Sequence, residues 1–366
     1  MKNLSPGIKH DIHLGLCCLP AIVLIFVAGY GMNLMQGASI MASGALTLAF
    51  GANKTWEGSS FMLLLTTAAG VSVSSFLGCL AGDVLPLYIA GAVLYAGAYA
   101  MLAGIGGGLW WSLLQCATAY LISGYFAGSV GHAALRAALV GAGALLQVLC
   151  VSLLFSQIRF QFQDFTRLSW RVFLRQATHK YRQKIHLQGS VIFAMLTMCL
   201  ALVLVETYQV KNGYWAGMTM LLCLRSHFRE SLLRVPARIA GTLSASLAAP
   251  FLLAHLDSPR LLALGFIVSG YLAFTYSYTL ITKSYFVFTF FVTLMVICML
   301  SLFGVAQENV AVERLIATAL GGGFALLAIL LTWLFTEFHV MKKLRSHVPR
   351  FTFSPPAMRK TPQKPR

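Results

Sequence analysis

The chain has 366 residues, of which 58% are hydrophobic and only 10% are charged. A soluble protein carries about a quarter charged residues, so this composition excludes a soluble globular protein and favours a helical membrane protein. The formal net charge of +17 would also fit a nucleic-acid-binding protein. The basic residues, however, lie in the polar segments between apolar runs, where they serve as topology signals, and nucleic acid is excluded as a partner.

Twelve apolar runs follow one another along the chain, separated by polar breaks. Because one membrane span takes about 20 residues, the runs predict an all-α polytopic integral membrane protein with about twelve transmembrane helices. The first six runs lie near 14–32, 37–50, 60–80, 85–103, 107–127 and 133–155. The other six lie near 188–206, 213–224, 236–256, 261–280, 284–304 and 314–336.

The runs divide the chain into two halves of similar layout. A shift of 176 residues places Gly37 on Gly213 and Thr66 on Thr242, and span lengths and polar breaks stay in step across the whole half. Six spans per half is an even number, so the sequence predicts two tandem, parallel six-helix repeats. The predicted units are a first membrane half (1–156), a basic cytoplasmic linker (157–187), a second membrane half (188–337) and a basic tail (338–366) expected to be disordered.

The distribution of Lys and Arg predicts the orientation in the membrane. All but four of the 27 basic residues fall in alternate segments, and the four exceptions are Arg136, Lys211, Arg260 and Arg314. The positive-inside rule then places both termini and the linker in the cytoplasm. The predicted location is the bacterial inner membrane, with the lipid bilayer as a partner.

Signatures of catalysis and of metal binding are absent from the sequence. None of the eight cysteines forms a Cys-x-x-Cys pair, and all lie in apolar stretches. The sequence also contains no nucleophile elbow, no His-Glu-x-x-His and no Walker-type loop. It therefore predicts a protein that is not an enzyme and has no cofactor or metal.

The second run of each half is short for a membrane span. Residues 37–50 and 213–224 would form helices of about 21 and 18 Å, whereas a hydrocarbon core is about 30 Å thick. Short segments at matching positions are typical of transporter sites, where the ends of broken helices face a polar substrate. The alternative is that flanking residues extend each run into an ordinary helix.

A cluster of basic residues follows the second short run. It consists of Arg225, His227, Arg229, Arg234 and Arg238, and the last two are four residues apart, so they share one helix face. Such a cluster could attract anions to a vestibule. It could equally fix the topology or bind lipid headgroups.

Three further basic residues, Arg136, Lys283 and Arg314, lie near span ends, where long side chains commonly extend to the membrane interface. Residues 271–291 around Lys283 are dense in aromatic side chains. An aromatic path beside a cation would suit a planar carboxylate, with Tyr285 and Lys283 as the residues of interest. The alternative is an aromatic belt at the membrane interface.

Three motifs follow one another in the second half. The first is formed by Tyr214-Trp215-Ala216 and by Arg234, Arg238, Gly241 and Thr242, the second is Tyr285 followed by Thr293, and the third is Arg314, Thr318 and Gly321. The first resembles the Y-W-A and R-x3-R-x2-G-T pattern, and the third the R-x3-T-x2-G closing motif, of the fusaric acid resistance and aromatic acid exporter family. The six-helix core of that family is shared by plant aluminium-activated malate channels.

The resemblance implies a transporter that exports small organic anions, with aromatic carboxylic acids as the expected class. Arg234 and Arg238 would attract the anion at the cytoplasmic mouth, and aromatic side chains would contact its ring. The complete predicted substrate-binding set is Arg234, Arg238, Tyr214, Trp215, Tyr285, Lys283 and Arg314.

Two other functions remain open at this point: a gated organic-anion channel, and a non-transporting envelope scaffold. A periplasmic adaptor protein and further copies of the chain are the protein partners that these functions allow.

Overall fold

The computed structural model describes residues 6–105, 107–158, 160–162, 164, 170–225, 228–256, 258–279, 285–302 and 310–347. Over these residues the chain forms thirteen α-helices and no strand. Nine of the helices found there are long and apolar enough to cross a membrane. The protein is therefore a multi-pass helical membrane protein, as its composition predicts.

Six helices form the first half, and each contains most of one predicted span. They are α1 (Pro6–Gly31), α2 (Met35–Ala49), α3 (Ser60–Ala81), α4 (Leu85–Ile105), α5 (Leu109–Tyr125) and α6 (Val130–Leu154).

A seventh helix, α7 (Trp170–Gln183), precedes the six helices of the second half. These are α8 (Ile185–Thr207), α9 (Tyr214–Cys223), α10 (Phe228–His255), α11 (Pro259–Thr279), α12 (Tyr285–Leu302) and α13 (Val310–His347). The short second run of this half is a helix of only ten residues, α9, or about 15 Å.

The same pairs of helices pack together in both halves. In the first half α3 packs on α5 and α6, α2 packs on α6, and α4 packs on α5. In the second half the corresponding helices repeat each contact: α10 packs on α12 and α13, α9 on α13, and α11 on α12.

The two halves meet through reciprocal contacts. The first helix of each half lies on the fourth helix of the other, since α1 packs on α11 and α8 packs on α4. The second helix of each half also meets the fifth helix of the other, because α9 contacts α5 and α2 contacts α12. The short helix α9 is therefore enclosed by both halves.

Two predicted segments differ from the structure. The region expected to be a linker contains α7, which is strongly amphipathic and packs on α4 and α8, with Ala177 buried at the contact. The last helix continues ten residues beyond the predicted end of the second half, to His347. The rest of the predicted tail lies outside the described residues.

Candidate functional site

One face of α10 carries buried polar and small side chains through the middle of the second half. Ser231, Val235, Arg238, Thr242 and Ala245 follow one another at spacings of three or four residues, and all are buried. This spacing places them on one stripe of the helix. The Arg238 side chain is only 2% exposed.

Arg234, one turn before Arg238, is half-buried against an aromatic side chain of α12. Its guanidinium carbon lies 4.9 Å from the centroid of the Tyr285 ring, and Tyr285 is itself buried and stacked on Phe288. The structure thus brings together Arg234, Arg238 and Tyr285, which the sequence predicts as a set. Lys283, predicted beside them, lies outside the described residues, as does His227.

Arg314, at the start of α13, is buried beside α9. Its guanidinium carbon lies 4.2 Å from the centroid of the Trp215 ring, and its Nη1 donates to the backbone carbonyl of Thr293 at 3.2 Å. The side chain is only 2% exposed, so the expectation that Arg314 extends to the membrane interface is wrong. The preceding carboxylate, Glu313, accepts a hydrogen bond from Asn212 at 2.8 Å.

Tyr214 is buried next to Trp215 at the start of α9. The centroids of these two rings are 5.1 Å apart, and Tyr214 also packs on Tyr125 of α5, with centroids 4.8 Å apart. Tyr214 therefore supports the Trp215 ring from the side of the first half.

Arg225 follows the other end of α9 and contacts the first half. Its guanidinium carbon lies 4.6 Å from the centroid of the Trp110 ring, and its Nη1 donates to the Tyr99 hydroxyl at 3.3 Å. Tyr99 is fully buried and donates in turn to the Leu224 carbonyl at 2.9 Å. Tyr99 and Trp110 lie on α4 and α5, more than a hundred residues away in sequence, and sequence reasoning did not find them.

Of the four arginines, Arg314 lies at the start of α9 and Arg225 follows its end, while Arg234 and Arg238 lie on α10, which contacts α9. Within the described part of the chain, none of them forms an ion pair with a carboxylate. Several of their N–H groups also have no hydrogen-bond partner there: Nε of Arg225, Nη1 of Arg234, Nε and Nη1 of Arg238, and Nε of Arg314.

Neutral donors around the arginines are unpaired as well. The buried Tyr285 hydroxyl and the Trp215 indole nitrogen have no partner among the described residues, nor do the hydroxyls of Thr219, Thr242 and Thr293. Buried charges in proteins are normally paired or bind an ion, because removing a charge from water costs several kcal/mol. A group of buried and half-buried cations, with donors that have no partner among the described residues, is therefore suited to binding an anion.

The positive charge of this cluster extends to the loop after α2. Burial lowers the pKa of Lys54, and the charges of Arg225 and Arg234 lower it further. The like-charge effect shows that the positive field around α9 reaches this loop.

The two glycines of the predicted motifs bring the arginine-bearing helices close to their neighbours. A Cβ at Gly241 of α10 would lie 2.7 Å from the carbonyl oxygen of Phe286. One at Gly321 of α13 would collide with the carbonyl oxygen of Ala216 on α9. Glycine at these positions allows the close helix approach that holds α9, α10, α12 and α13 around the cluster.

The first half has no corresponding cluster. The 176-residue shift places Gly58, Met62 and Ala138 at the positions of Arg234, Arg238 and Arg314. Met62 is buried, so an apolar side chain occupies the position that Arg238 holds in the second half.

Comparison with known protein families finds a match in the second half, where the arginine cluster lies. Residues 200–328 match the family model described as fusaric acid resistance protein-like, and the matched range includes α9 and all four arginines. The match confirms the resemblance that the sequence motifs indicate. No curated protein sequence and no solved structure matches the chain significantly.

Proposed function

We propose that this chain, a multi-pass membrane protein whose residues 200–328 match the fusaric acid resistance protein-like family, exports small organic anions from the cytoplasm. Aromatic carboxylic acids are the proposed substrate class. The observation that carries the proposal is the group of buried and half-buried arginines around α9, with N–H donors that have no partner among the described residues.

The chemistry of these arginines favours a carboxylate. A guanidinium group presents parallel N–H donors that match the two oxygens of a carboxylate. A hydrogen bond to a charged group contributes about 1.5–3 kcal/mol, so two arginines could offset much of the cost of taking a carboxylate out of water.

The aromatic side chains favour a substrate with a ring. Trp110, Tyr285 and Trp215 each face one of the arginines at 4.2–4.9 Å, so each cation lies next to an aromatic surface. An aromatic carboxylate could bind the cation through its carboxylate group and pack its ring on the neighbouring side chain, since offset or edge-to-face ring pairs are favourable.

The proposed arrangement in the membrane is two tandem, parallel six-helix repeats with both termini in the cytoplasm. The recurring helix pairs support the repeat, and the distribution of Lys and Arg supports the orientation. In this orientation Arg225 and Arg234 lie towards the cytoplasm and Arg314 towards the periplasm. The arginines then mark a path along α9, a helix of about 15 Å that is shorter than the hydrocarbon core.

The proposal is tested by the pair Arg234→Gln and Arg238→Gln, measured as efflux of labelled benzoate from loaded cells. We expect the pair to abolish efflux while the protein still inserts in the membrane. The pair Arg234→Lys and Arg238→Lys should restore efflux only in part, because an ammonium keeps the charge but loses the planar fork.

Three outcomes would contradict the proposal or change it. If the Lys pair exports as well as the wild type, the arginines act through charge alone, as topology determinants would. Full efflux by the Gln pair would remove both residues from the mechanism and favour a scaffold. Benzoate current through the purified protein in planar bilayers, without a proton gradient, would identify a channel rather than an exporter.

A further inference from the structure

A cavity of about 430 Å³ lies between the two halves, beside the arginine cluster. It is formed by α4 of the first half, by the beginning of α8 and by the segment after α9. The polar residues of its lining are Tyr99, Lys184, His186, Ser190 and Arg225.

We propose that this cavity is the site where the exported anion first binds, and that Arg225 is the residue that binds its carboxylate. The proposal rests on the proposed function and deepens it, because it assigns one arginine of the cluster, Arg225, to a loading site and separates it from Arg234, Arg238 and Arg314. Its ligand class is a small monocarboxylate with an apolar body.

The size and lining of the cavity fit that ligand. Ligand pockets commonly have volumes of about 300–1,000 Å³, and this cavity is at the lower end of that range. Its walls combine the apolar residues Ala103, Leu187 and Leu224 with the cations Lys184 and Arg225. The apolar wall can therefore pack against the apolar body of the ligand, while the two cations bind its carboxylate.

Arg225 is held in place by the first half. The Trp110 ring lies on one side of its guanidinium group, at 4.6 Å, and the Tyr99 hydroxyl accepts a hydrogen bond from its Nη1. Arg225 is half-buried and lines the cavity, and its Nε–H, which is buried, has no hydrogen-bond partner among the described residues. Within those residues only the Tyr99 hydroxyl accepts from the guanidinium group, which carries five N–H donors. Tyr99 and Trp110 are thus positioning residues that orient Arg225 and leave further N–H groups for a ligand.

The location of Arg225 connects the cavity to the other arginines of the cluster. The residue lines the cavity, and its backbone N–H donates to the Ser231 hydroxyl at 3.0 Å. Ser231 precedes Arg234 by three residues on α10, so an anion bound at Arg225 lies near the next arginine of the cluster. Since Tyr99 and Trp110 belong to the first half, that half completes the loading site although it has no arginine cluster of its own.

The test compares two arginines of the same basic segment, with benzoate as the probe. Arg225→Gln should raise the benzoate concentration for half-maximal efflux about tenfold to a hundredfold, the factor expected for a charge-assisted hydrogen bond, and leave the maximal rate unchanged. Arg229→Gln removes the same charge from an exposed position and should behave as the wild type. Tyr99→Phe, which removes only a hydroxyl, should raise the half-maximal concentration by a smaller factor.

Equal behaviour of Arg225→Gln and Arg229→Gln would overturn the proposal, because a general effect of charge does not distinguish the two positions. A loss of maximal rate with an unchanged half-maximal concentration would also overturn it. That result would give Arg225 a role after binding.

A second measurement does not depend on transport. Ser190→Cys should react with a negatively charged methanethiosulfonate added on the cytoplasmic side, and benzoate should slow that reaction, with the wild-type chain giving the background of the native cysteines. If benzoate slows the reaction of the introduced cysteine but the wild type shows no benzoate efflux, the cavity is supported as an anion site and the proposed function is refuted. Reaction at an unchanged rate in saturating benzoate would refute the cavity, even if efflux is observed.

Discussion

Replacing Arg238 by Met should stabilise the protein and abolish transport. Arg238 is 2% exposed, and two of its nitrogens have no hydrogen-bond partner within the described residues. A second arginine, Arg234, lies one turn earlier on the same face of α10, so a like charge adds to the cost of burying Arg238. Met is also the residue that the first half carries at the corresponding position, as buried Met62.

The expected magnitude follows from the cost of burying a charge. Replacing buried ionic groups by apolar residues of similar volume is often neutral or stabilising, by about 1–4 kcal/mol, and a charge with no carboxylate partner among the described residues should lie towards the upper end of that range. Arg229→Met, at an exposed position of the same helix, should change stability by less than about 0.5 kcal/mol.

Unfolding of the purified protein in lipid nanodiscs, with and without benzoate, measures both effects. Benzoate at about 100 times its dissociation constant should stabilise the wild type by about 2.7 kcal/mol and should not stabilise the Arg238→Met variant. If Arg238→Met lowers the stability in the absence of any anion, the guanidinium is a structural element and the reasoning from its burial is wrong.

Two further predictions concern helix packing and topology. Gly241→Ala should destabilise the protein by about 1–3 kcal/mol, because the new Cβ would lie 2.7 Å from the Phe286 carbonyl oxygen. The control Gly323→Ala, where a Cβ would have no atom within 4 Å, should stabilise the protein by about 0.5–1 kcal/mol. Equal changes in stability would show that Gly241 does not set the approach of α10 to α12. Reporter fusions at positions 170 and 350 should report the cytoplasm and fusions near 82 and 258 the periplasm, and a periplasmic signal at 170 would contradict the twelve-span arrangement.

The helices of the membrane could be predicted from the sequence because long apolar runs report directly on burial in lipid. Each of the twelve predicted runs overlaps one helix of the structure. Helix α7 was not predicted, since its basic composition resembles that of a linker and its amphipathic pattern is short. The end of α13 was placed too early, because its last turns contain basic residues such as Lys342 and Lys343, which are good helix formers but not apolar.

The site could be predicted only where its residues are close in sequence or belong to a motif. The four-residue spacing of Arg234 and Arg238 places both on one helix face, and the motif around Arg314 identified that residue. Nothing near Tyr99 or Trp110 in the sequence indicates a contact with Arg225, because that contact depends on how α4 and α5 pack against the second half. The burial of Arg314 likewise depends on Trp215, which lies about a hundred residues earlier.

Trp215 provides the sharpest test of whether the site recognises the ring of its substrate. Its own ring lies 4.2 Å from the guanidinium carbon of Arg314, so it can position that cation, contact the substrate, or do both. Aromatic pairs contribute about 0.5–1.5 kcal/mol beyond their buried area, so Trp215→Leu should weaken binding of benzoate relative to acetate by about twofold to tenfold. Trp215→Phe, which keeps a ring, should change that ratio less, and Trp333→Leu, at a position that is 49% exposed, should leave it unchanged. If Trp215→Leu weakens benzoate and acetate by the same factor, Trp215 positions Arg314 and does not contact the substrate ring.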